Sequence, residues 1–400
     1  MIYNRLLTER HVLGVILIFS FFPLLPNKFK GLSVISLLLV TLFGNVKKSV
    51  NIKELLVNSS LFIIYLFSLI YTDDYKFALS KLETGLSILV IPIIFNGFLA
   101  NFKFNLEFKV KFLKLSIIFS IFFAFISLLF ISVESDSIYC LNWNTDKFRN
   151  ISSQLPLIGQ HPIYSSIFLS TPLFFFFELI RMKVISTKVK QLFYVFLLFN
   201  VVLLFMLSSK GVIISLLSVF IISALIEFKN FKLAIAAIFI LTCFFFFSRR
   251  AKELYKVEVY NEINESYSTS IRLGIYKCAF KLIESNPIFG YGIGDAQREL
   301  NLCYAYESNI LLKNRFNSHN QYLDILIKTG FFGLLVFIYF ILYNIRKAIK
   351  SSNGLLLQIL FFYCLIFLSE NILLRQSGVI LFYFLIIFFN HSMFVINLKR

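Results

Sequence analysis

The residues best suited to chemistry surround one histidine. In the run SHNQYLDILIKTGFFG, His319 lies between Ser318 and Asn320. Ser318 and Gln321 have the spacing of a capping box, which predicts a helix that has His319 as its first residue. The positive end of a helix dipole disfavours a second proton on the ring and attracts anions such as phosphate. A neutral imidazole at this position could act as a general base, and the alternative is a polar cap at a membrane interface.

Two glycines follow the histidine at fixed distances. Nine residues separate Asn320 from Gly330, and Gly333 follows two residues later. In a continuous helix, Gly330 would share a face with His319, about 16 Å further along the axis. Small residues on such a face let another helix approach closely. We therefore expect the glycines to be packing positions and His319 to lie at the end of the packed face.

Composition identifies the class of protein that must hold this motif. Hydrophobic residues make up 58% of the 400 residues and charged residues only 15%, against about 25% charged in soluble domains. The predicted fold class is therefore all-α, a polytopic bundle of transmembrane helices. The net charge of +18 would suggest nucleic-acid binding in a soluble protein. In a membrane protein the positions of the basic residues matter more than their sum, because they set the orientation of the spans. The lipid bilayer is therefore an expected partner, and nucleic acid is not.

About twelve apolar runs are long enough to be spans or short spans. They are 11–26, 31–45, 55–72, 78–99, 112–132, 161–180, 191–208, 211–227, 233–248, 320–345, 355–371 and 376–396. The first run lacks a small-residue cleavage site and is expected to be retained as a span. Basic residues cluster in alternate short connections, which predicts that both termini are cytoplasmic. The predicted organisation is spans 1–9 in 1–248, a large periplasmic loop in 249–319, and spans 10–12 in 320–400.

The large loop is expected to be partly helical. Residues 272–283 (RLGIYKCAFKLI) place apolar side chains at helical spacing, which predicts a face of Leu273, Tyr276, Phe280 and Ile283. The following NPIFGYGIG run predicts a tight turn at Gly290 and Gly292 with exposed backbone N–H groups. Three cysteines fall on the predicted outer side, so one disulfide can form there, but nothing in the sequence selects the pair. They are Cys140, Cys278 and Cys303.

These motifs together resemble the O-antigen ligase superfamily of bacterial membrane glycosyltransferases. His319 and Asn320, with Gly330 and Gly333, match every fixed position of a motif that ends the family's large periplasmic loop. The NPIFGYG turn, the arginine at Arg272 and a His-Pro-Ile-Tyr run from residue 161 are also similar to the family. Many members have Ser-Arg-Gly between two middle spans, whereas this chain has lysine at residue 210.

The resemblance implies a GT-C-like membrane enzyme of the bacterial inner membrane. It would transfer a glycan from undecaprenyl pyrophosphate to lipid A-core or a similar glycan acceptor at the periplasmic face, with inversion and with no metal or other cofactor. His319 would be the base. Arg272 and Lys210 would bind the pyrophosphate, and Asn320 and His161 would contact substrate. For Arg272 the alternative is a solvated helix-face arginine, and for Lys210 an interfacial lysine; for His161, a polar cap is the favoured alternative.

Proteins with three other functions would have a similar hydropathy profile. A repeat-unit polymerase of the same superfamily would use another lipid-linked glycan as acceptor. A transporter of polysaccharide-related lipids would have internal repeats and charged residues in mid-membrane, and the sequence has no clear repeat. A non-catalytic scaffold would use the large loop as a binding surface.

Overall fold

The structure is a computed structural model that describes residues 2–44, 48–134, 145–226, 235, 238–239, 263–264, 267–391 and 394–395. Its described α-helices are α1 Ile2–Ile18, α2 Asn27–Phe43, α3 Ile52–Phe67, α4 Tyr75–Gly85, α5 Ser87–Pro92, α6 Leu106–Glu134, α7 Thr145–Ser153, α8 Pro162–Arg181, α9 Thr187–Leu207, α10 Lys210–Ile226, α11 Ser268–Ser285, α12 Ala296–Glu307, α13 Asn309–Asn314, α14 Gln321–Lys350, α15 Gly354–Phe367 and α16 Gln376–Asn390. The described strands, β1 Phe104–Asn105 and β2 Phe394–Val395, form one short parallel pair.

The protein is an all-α polytopic membrane protein, as predicted. Six of its described helical segments are long and apolar enough to cross a membrane, and α10, α15 and α16 are shorter apolar helices. Helix α16 lies at the centre of the bundle, since its residues are buried from Gly378 to Asn390. A helix that is apolar on all sides is stable only when other helices or lipid surround it. The predicted ninth span, 233–248, lies almost entirely outside the described residues. Cys140 and Trp143 also lie outside them.

Helices α11 to α13 form a smaller unit with its own apolar core. The core includes Ile275, Leu300 and Leu311 from these helices, together with Leu323 and Ile327 from the start of α14. The first nine residues of α14 therefore pack with the helices that precede them. The domain boundary at residue 320 stays a prediction.

The apolar face predicted for the helix at 272–283 is partly wrong. Of the predicted face, Ile283 is buried and Tyr276 half-buried, but Leu273 and Phe280 are exposed. Ile275 and Cys278 are buried instead. Cys278 forms a disulfide with Cys303 of α12, with a Cα–Cα distance of 5.8 Å. The buried face of α11 is therefore rotated relative to the face predicted from apolar residues alone. The structure thus pairs Cys278 with Cys303, a choice of disulfide partners that the sequence left open.

The glycine positions in α14 also differ from the prediction. Gly330 has φ 62° and ψ −166°, so α14 is broken there and is not one continuous helix. The backbone N–H groups of Phe331 and Phe332 donate to the carbonyl oxygens of Pro287 and Ile288, at 2.8 and 3.3 Å. A Cβ on Gly330 would lie 2.1 Å from the Ile288 oxygen. Gly330 therefore permits the approach of a loop, not of another helix.

The NPIFGYGIG turn completes this contact from its own side. Gly290 has φ 67°, and a Cβ there would lie 2.5 Å from the carbonyl oxygen of Ile327. Tyr291 N and Gly292 N donate to the carbonyl oxygens of Ile327 and Lys328, both at 2.8 Å. The N–H groups predicted to be exposed are thus bonded to α14. We call this paired backbone of residues 287–292 and 327–332 the glycine lock.

The second motif glycine has a separate contact. A Cβ on Gly333 would lie 1.9 Å from Thr329 Oγ1 and 3.3 Å from Ile64 of α3. The predicted helix–helix packing role is therefore consistent with the position of Gly333, which faces α3. The helix–helix packing role does not describe Gly330, because Gly330 contacts the turn at residues 287–292.

Candidate functional site

A polar cavity of about 180 Å³ lies at the end of the bundle beside the α11–α13 unit. It brings together four of the predicted site residues, His161, Lys210, Arg272 and His319. Its other lining residues are Arg149, Ile163, Ser208, Ser209, Gly211, Ser268, Ile271, Phe316 and Glu370. Side chains separated by more than 150 residues in the sequence therefore share one space. We call it the polar cavity.

His319 is not a helical residue, contrary to the capping-box prediction. Its φ is 44°, a left-handed conformation that is uncommon outside glycine. Helix α14 begins two residues later, and Asn320 is its N-cap, with Oδ1 accepting from Tyr322 N at 2.9 Å and Leu323 N at 3.1 Å. His319 therefore precedes α14 and does not occupy the first helical position that the prediction gave it.

The backbone of His319 is held by two polar side chains. Its N–H donates to Asn317 Oδ1 at 2.9 Å, and its carbonyl oxygen accepts from the Tyr276 hydroxyl at 3.3 Å. Tyr276 belongs to α11, the helix that also carries Arg272. A left-handed residue persists only where its surroundings determine it, and such positions are common in functional sites.

Glu370 links the two best candidate residues. One carboxylate oxygen forms an ion pair with Arg272, and the other lies 3.5 Å from Nδ1 of His319. Arg375, five residues further along, is the nearest cation to Glu370 in the sequence, but its guanidinium lies over the Tyr164 ring, 5.8 Å from the ring centroid. Burial raises the pKa of Glu370, but the His319 contact and the Arg272 charge outweigh it, so the net pKa is lowered.

The carboxylate of Glu370 faces one nitrogen of the imidazole. Nδ1 of His319 lies 3.5 Å from it and makes no hydrogen bond among the described residues. Catalytic hydrogen bonds are commonly long without substrate and shorten when it binds. An ionised carboxylate only accepts hydrogen bonds, so in a neutral ring that donates to Glu370 the proton is on Nδ1, and the lone pair of Nε2 can accept another proton.

Three hydrogen bonds hold the histidine segment against the glutamate segment. Asn371 Nδ2 donates to Ser318 Oγ at 2.8 Å, and Leu373 N donates to Gln321 Oε1 at 2.8 Å. Asn320 Nδ2 donates to the carbonyl oxygen of Leu368 at 3.0 Å. Ser318 and Gln321 therefore do not form the predicted reciprocal cap. They tie the start of α14 to the connection between α15 and α16.

The opposite wall of the polar cavity is the turn between α9 and α10. Lys210 is the first residue of α10, and Ser208 ends α9 in a left-handed conformation. A Cβ on Gly211 would lie 2.2 Å from Ser369 Oγ, next to Glu370. The close approach at this glycine brings the Lys210 turn up to the glutamate segment.

Arg149 supplies a further cation that the sequence did not reveal. It belongs to α7, and its Nη1 donates to the Leu207 carbonyl oxygen at 2.6 Å and to Ser209 Oγ at 3.3 Å. No motif or periodicity singles it out, because it lies in a polar connection between two spans. With Lys210 and Arg272, it gives the cavity three cationic side chains and a single carboxylate among its lining residues.

His161 lies just before α8 and also lines the polar cavity. Burial, and then the charges of Arg375 and Arg149, lower its pKa to about 4. It is therefore neutral near pH 7 and adds no positive charge. Its side chain makes no capping hydrogen bond to the start of α8.

The polar cavity can combine two kinds of chemistry. A histidine oriented by a carboxylate can take a proton from a hydroxyl, and clustered cations can bind a phosphate or diphosphate. Cations together with backbone dipoles also stabilise the negative charge that develops on a leaving group. The arrangement suits group transfer from a phosphorylated donor to a hydroxyl acceptor.

Comparison with known proteins gives one family match. Residues 193–338 match the family model described as O-Antigen ligase, and no curated protein matches the chain. The matched residues contain Lys210, Arg272 and the whole His319 motif, whereas His161 and Glu370 lie outside them. The predicted resemblance to the O-antigen ligase superfamily is thereby confirmed. It indicates a membrane enzyme of the ligase type that acts in glycan transfer.

Proposed function

We propose that this O-antigen ligase-like chain transfers a glycan from undecaprenyl pyrophosphate to a hydroxyl of lipid A-core or a similar acceptor. The observation that supports this most is the His319–Glu370–Arg272 contact in a cavity that also holds Lys210. The reaction needs one base and one diphosphate site within reach of each other. The polar cavity offers both.

The proposed reaction is a single displacement. Nε2 of His319 takes the proton of the acceptor hydroxyl as its oxygen attacks the anomeric carbon of the donor. The bond from that carbon to the diphosphate oxygen breaks, and the electron pair leaves with the diphosphate. Attack from the side opposite to the leaving group inverts the anomeric centre. Glu370 is a positioning residue, because it acts through His319 and Arg272.

The diphosphate is proposed to lie between Lys210, Arg149 and Arg272. A guanidinium has five N–H donors. Glu370 contacts Arg272 through Nη2, so other N–H groups of Arg272 can donate to the diphosphate. The donor set of three cations and one carboxylate is unfavourable for a divalent metal ion, which prefers several oxygen ligands. We therefore propose that the cations neutralise the leaving group and that transfer continues in excess EDTA.

Asn320 and His161 are assigned different proposed roles. Both side-chain groups of Asn320 are bonded to the backbone, so we propose that it positions His319. His161 lines the polar cavity, and we propose that its neutral ring contacts the donor or the acceptor. The proposed location is the bacterial inner membrane, with both termini in the cytoplasm and the polar cavity on the periplasmic side.

The disulfide supports this orientation. Disulfides persist in the periplasm and are rare in the bacterial cytosol. The Cys278–Cys303 bond joins α11 to α12, and α11 carries Arg272 at the edge of the polar cavity. A periplasmic location of the site would also place it where lipid-linked glycans are joined to their acceptors.

The experiment that tests the function uses purified protein in lipid nanodiscs with a lipid-linked glycan donor. Glycan joined to lipid A-core would identify a ligase. Extension of one lipid-linked glycan by another would identify a repeat-unit polymerase, the alternative within the same superfamily. Absence of both products with active donor and acceptor would contradict the proposed function.

A further inference from the structure

An open cleft of about 430 Å³ lies beside the end of α11. One wall is the connection between α3 and α4, with Tyr71 and Asp73. The other wall is the turn after α11 and the start of α12, with Asn286, Phe289 and Arg298. None of its lining residues lines the polar cavity. Its volume is in the range of about 300–1,000 Å³ that is usual for small-molecule sites. We call it the aromatic cleft.

Hydrogen bonds join the two walls of the aromatic cleft. The buried carboxylate of Asp295 accepts from the backbone N–H groups of Asp73 and Asp74, at 2.6 and 3.2 Å. From the other direction, the Tyr71 hydroxyl donates to the Phe289 carbonyl oxygen at 2.8 Å. The shape of the cleft is therefore fixed before a ligand enters, which lowers the entropy cost of binding.

Two aromatic rings stand exposed in the aromatic cleft. The exposed fractions of Tyr71 and Phe289 are 39% and 60%, and their ring centroids are 6.3 Å apart with the planes at 55°. The negative face of such a ring attracts the C–H groups on one side of a sugar ring. Asn286, also exposed, has an amide that can donate to and accept from hydroxyl groups. These groups together suit a sugar.

Charge in the aromatic cleft restricts the kind of ligand further. The charged lining residues are three carboxylates and one guanidinium. The guanidinium of Arg298 lies 3.3 Å from Asp73, 3.3 Å from Asp295 and 3.2 Å from Glu299. A phosphate would meet an excess of negative charge here, and like charges in contact oppose binding. The cleft therefore favours a neutral sugar or an amino sugar over a diphosphate or a phospholipid headgroup.

The distance from the polar cavity sets the size of the ligand. Arg272 lines the polar cavity near the start of α11, and Asn286 caps the end of the same helix. Fourteen residues of helix separate them, which is about 21 Å. A glycan of several sugars can reach from one site to the other, whereas a single sugar cannot.

We propose that the aromatic cleft binds a neutral or amino-sugar unit of a glycan chain, several units away from the sugar that reacts. This inference rests on the proposed function, because transfer in the polar cavity is what brings the chain alongside α11. The sugar ring packs on Phe289 and Tyr71, and its hydroxyls bond to Asn286, Arg298 and the carboxylates. The donor glycan and the acceptor glycan both present such rings, and the two are separated by kinetics.

Binding can be measured without any transfer. The full chain in nanodiscs is titrated with the glycan released from the lipid-linked donor by mild acid, which carries neither lipid nor phosphate, and saturation-transfer NMR gives Kd. Phe289→Ala and Arg298→Ala change exposed side chains, and each should raise Kd about tenfold. Tyr306→Ala is the matched control, because Tyr306 is 91% exposed on α12 but does not line the cleft.

The controls decide whether the cleft is a sugar site. Tyr306→Ala and His319→Ala should keep the wild-type Kd, and empty nanodiscs should give no signal. A wild-type Kd in both cleft variants would overturn the inference. Displacement of the glycan by glycerophosphoethanolamine would also overturn it, since a lipid headgroup would then be the ligand.

Kinetics identify the chain that the aromatic cleft holds. With a polymeric donor, KM should rise about tenfold in both cleft variants with kcat unchanged, as for loss of uniform binding. A donor that carries one sugar should keep its KM. A rise confined to the KM of the acceptor would retain the sugar site and assign it to the acceptor chain. Equal effects on both donors, or no change in any KM, would overturn the inference. Binding in the cleft without any transfer would reject the proposed function alone.

Discussion

Replacing Gly330 with alanine should break the glycine lock. The φ of 62° and ψ of −166° belong to a region that is nearly exclusive to glycine and costs about 1–3 kcal/mol for other residues. The new Cβ would lie 2.1 Å from the Ile288 oxygen, so the turn must move. The two hydrogen bonds from Phe331 and Phe332 would be lost, at about 0.5–1.5 kcal/mol each.

These terms predict a loss of about 4 kcal/mol from the free energy of unfolding. The measurement is a titration with sodium dodecyl sulfate in mixed micelles, followed by far-ultraviolet circular dichroism. Gly14→Ala in α1 is the matched control, because a Cβ added there would meet no other part of the described chain within 4 Å. Alanine is favoured over glycine in a helix by about 0.5–1 kcal/mol, so this variant should be as stable as the wild type or more so.

A double variant tests whether the two sides of the glycine lock act together. Gly290→Ala places a Cβ 2.5 Å from the Ile327 oxygen, so it should break the same contact. The combined loss with Gly330→Ala should therefore be much smaller than the sum of the two single losses. Wild-type stability of Gly330→Ala, or additive losses in the double variant, would refute this account of the motif glycines.

Three further predictions concern the site and the α11–α12 unit. Glu370→Gln should lower kcat about 10²-fold, because Arg272 loses its ion pair and His319 its orienting carboxylate; an unchanged kcat would remove Glu370 from the mechanism. Cys278 and Cys303 should resist alkylation until a reductant is added, and their joint replacement by serine should cost about 3 kcal/mol in the free energy of unfolding; alkylation without reductant would contradict the bond. The pKa of His161, lowered from 6.5 to about 4, means that the unfolded chain binds a proton first as pH falls. The contribution of His161 to the free energy of unfolding should thus be complete above pH 6.5 and be lost towards pH 4, by about 3 kcal/mol. His161→Gln should remove this part of the decline. An identical pH profile for the variant and the wild type would contradict the lowered pKa of His161.

The sequence was informative where a local pattern determines the structure. Apolar runs predicted the spans that the structure describes as helices, and the family resemblance implied that His319, Arg272 and Lys210 belong to one site. The structure places all three around the polar cavity. Composition and motif spacing are local properties of the chain. Predicting the spans and the motif from them therefore needs no knowledge of tertiary contacts.

Features that depend on distant partners were missed. The break at Gly330 exists because residues 287–292 pair with α14, and no pattern within the helix indicates such a partner. The same holds for His319, whose backbone is held by Asn317 and Tyr276 and whose ring faces Glu370. One signal in the sequence does point to Glu370, since an acidic residue between two apolar runs is costly to bury unless it is paired.

The most direct test of the central claim is transfer by His319→Ala. His11→Ala is the matched control, because His11 is exposed on α1, far along the chain from the motif. Both variants and the wild type are assayed in nanodiscs with lipid-linked glycan and lipid A-core, and donor binding is measured separately. We expect His319→Ala to bind donor like the wild type and to lose at least about 10² in kcat, while His11→Ala should be unaffected. Near-normal turnover by His319→Ala, with product of the same linkage, would contradict the assignment of His319 as the base.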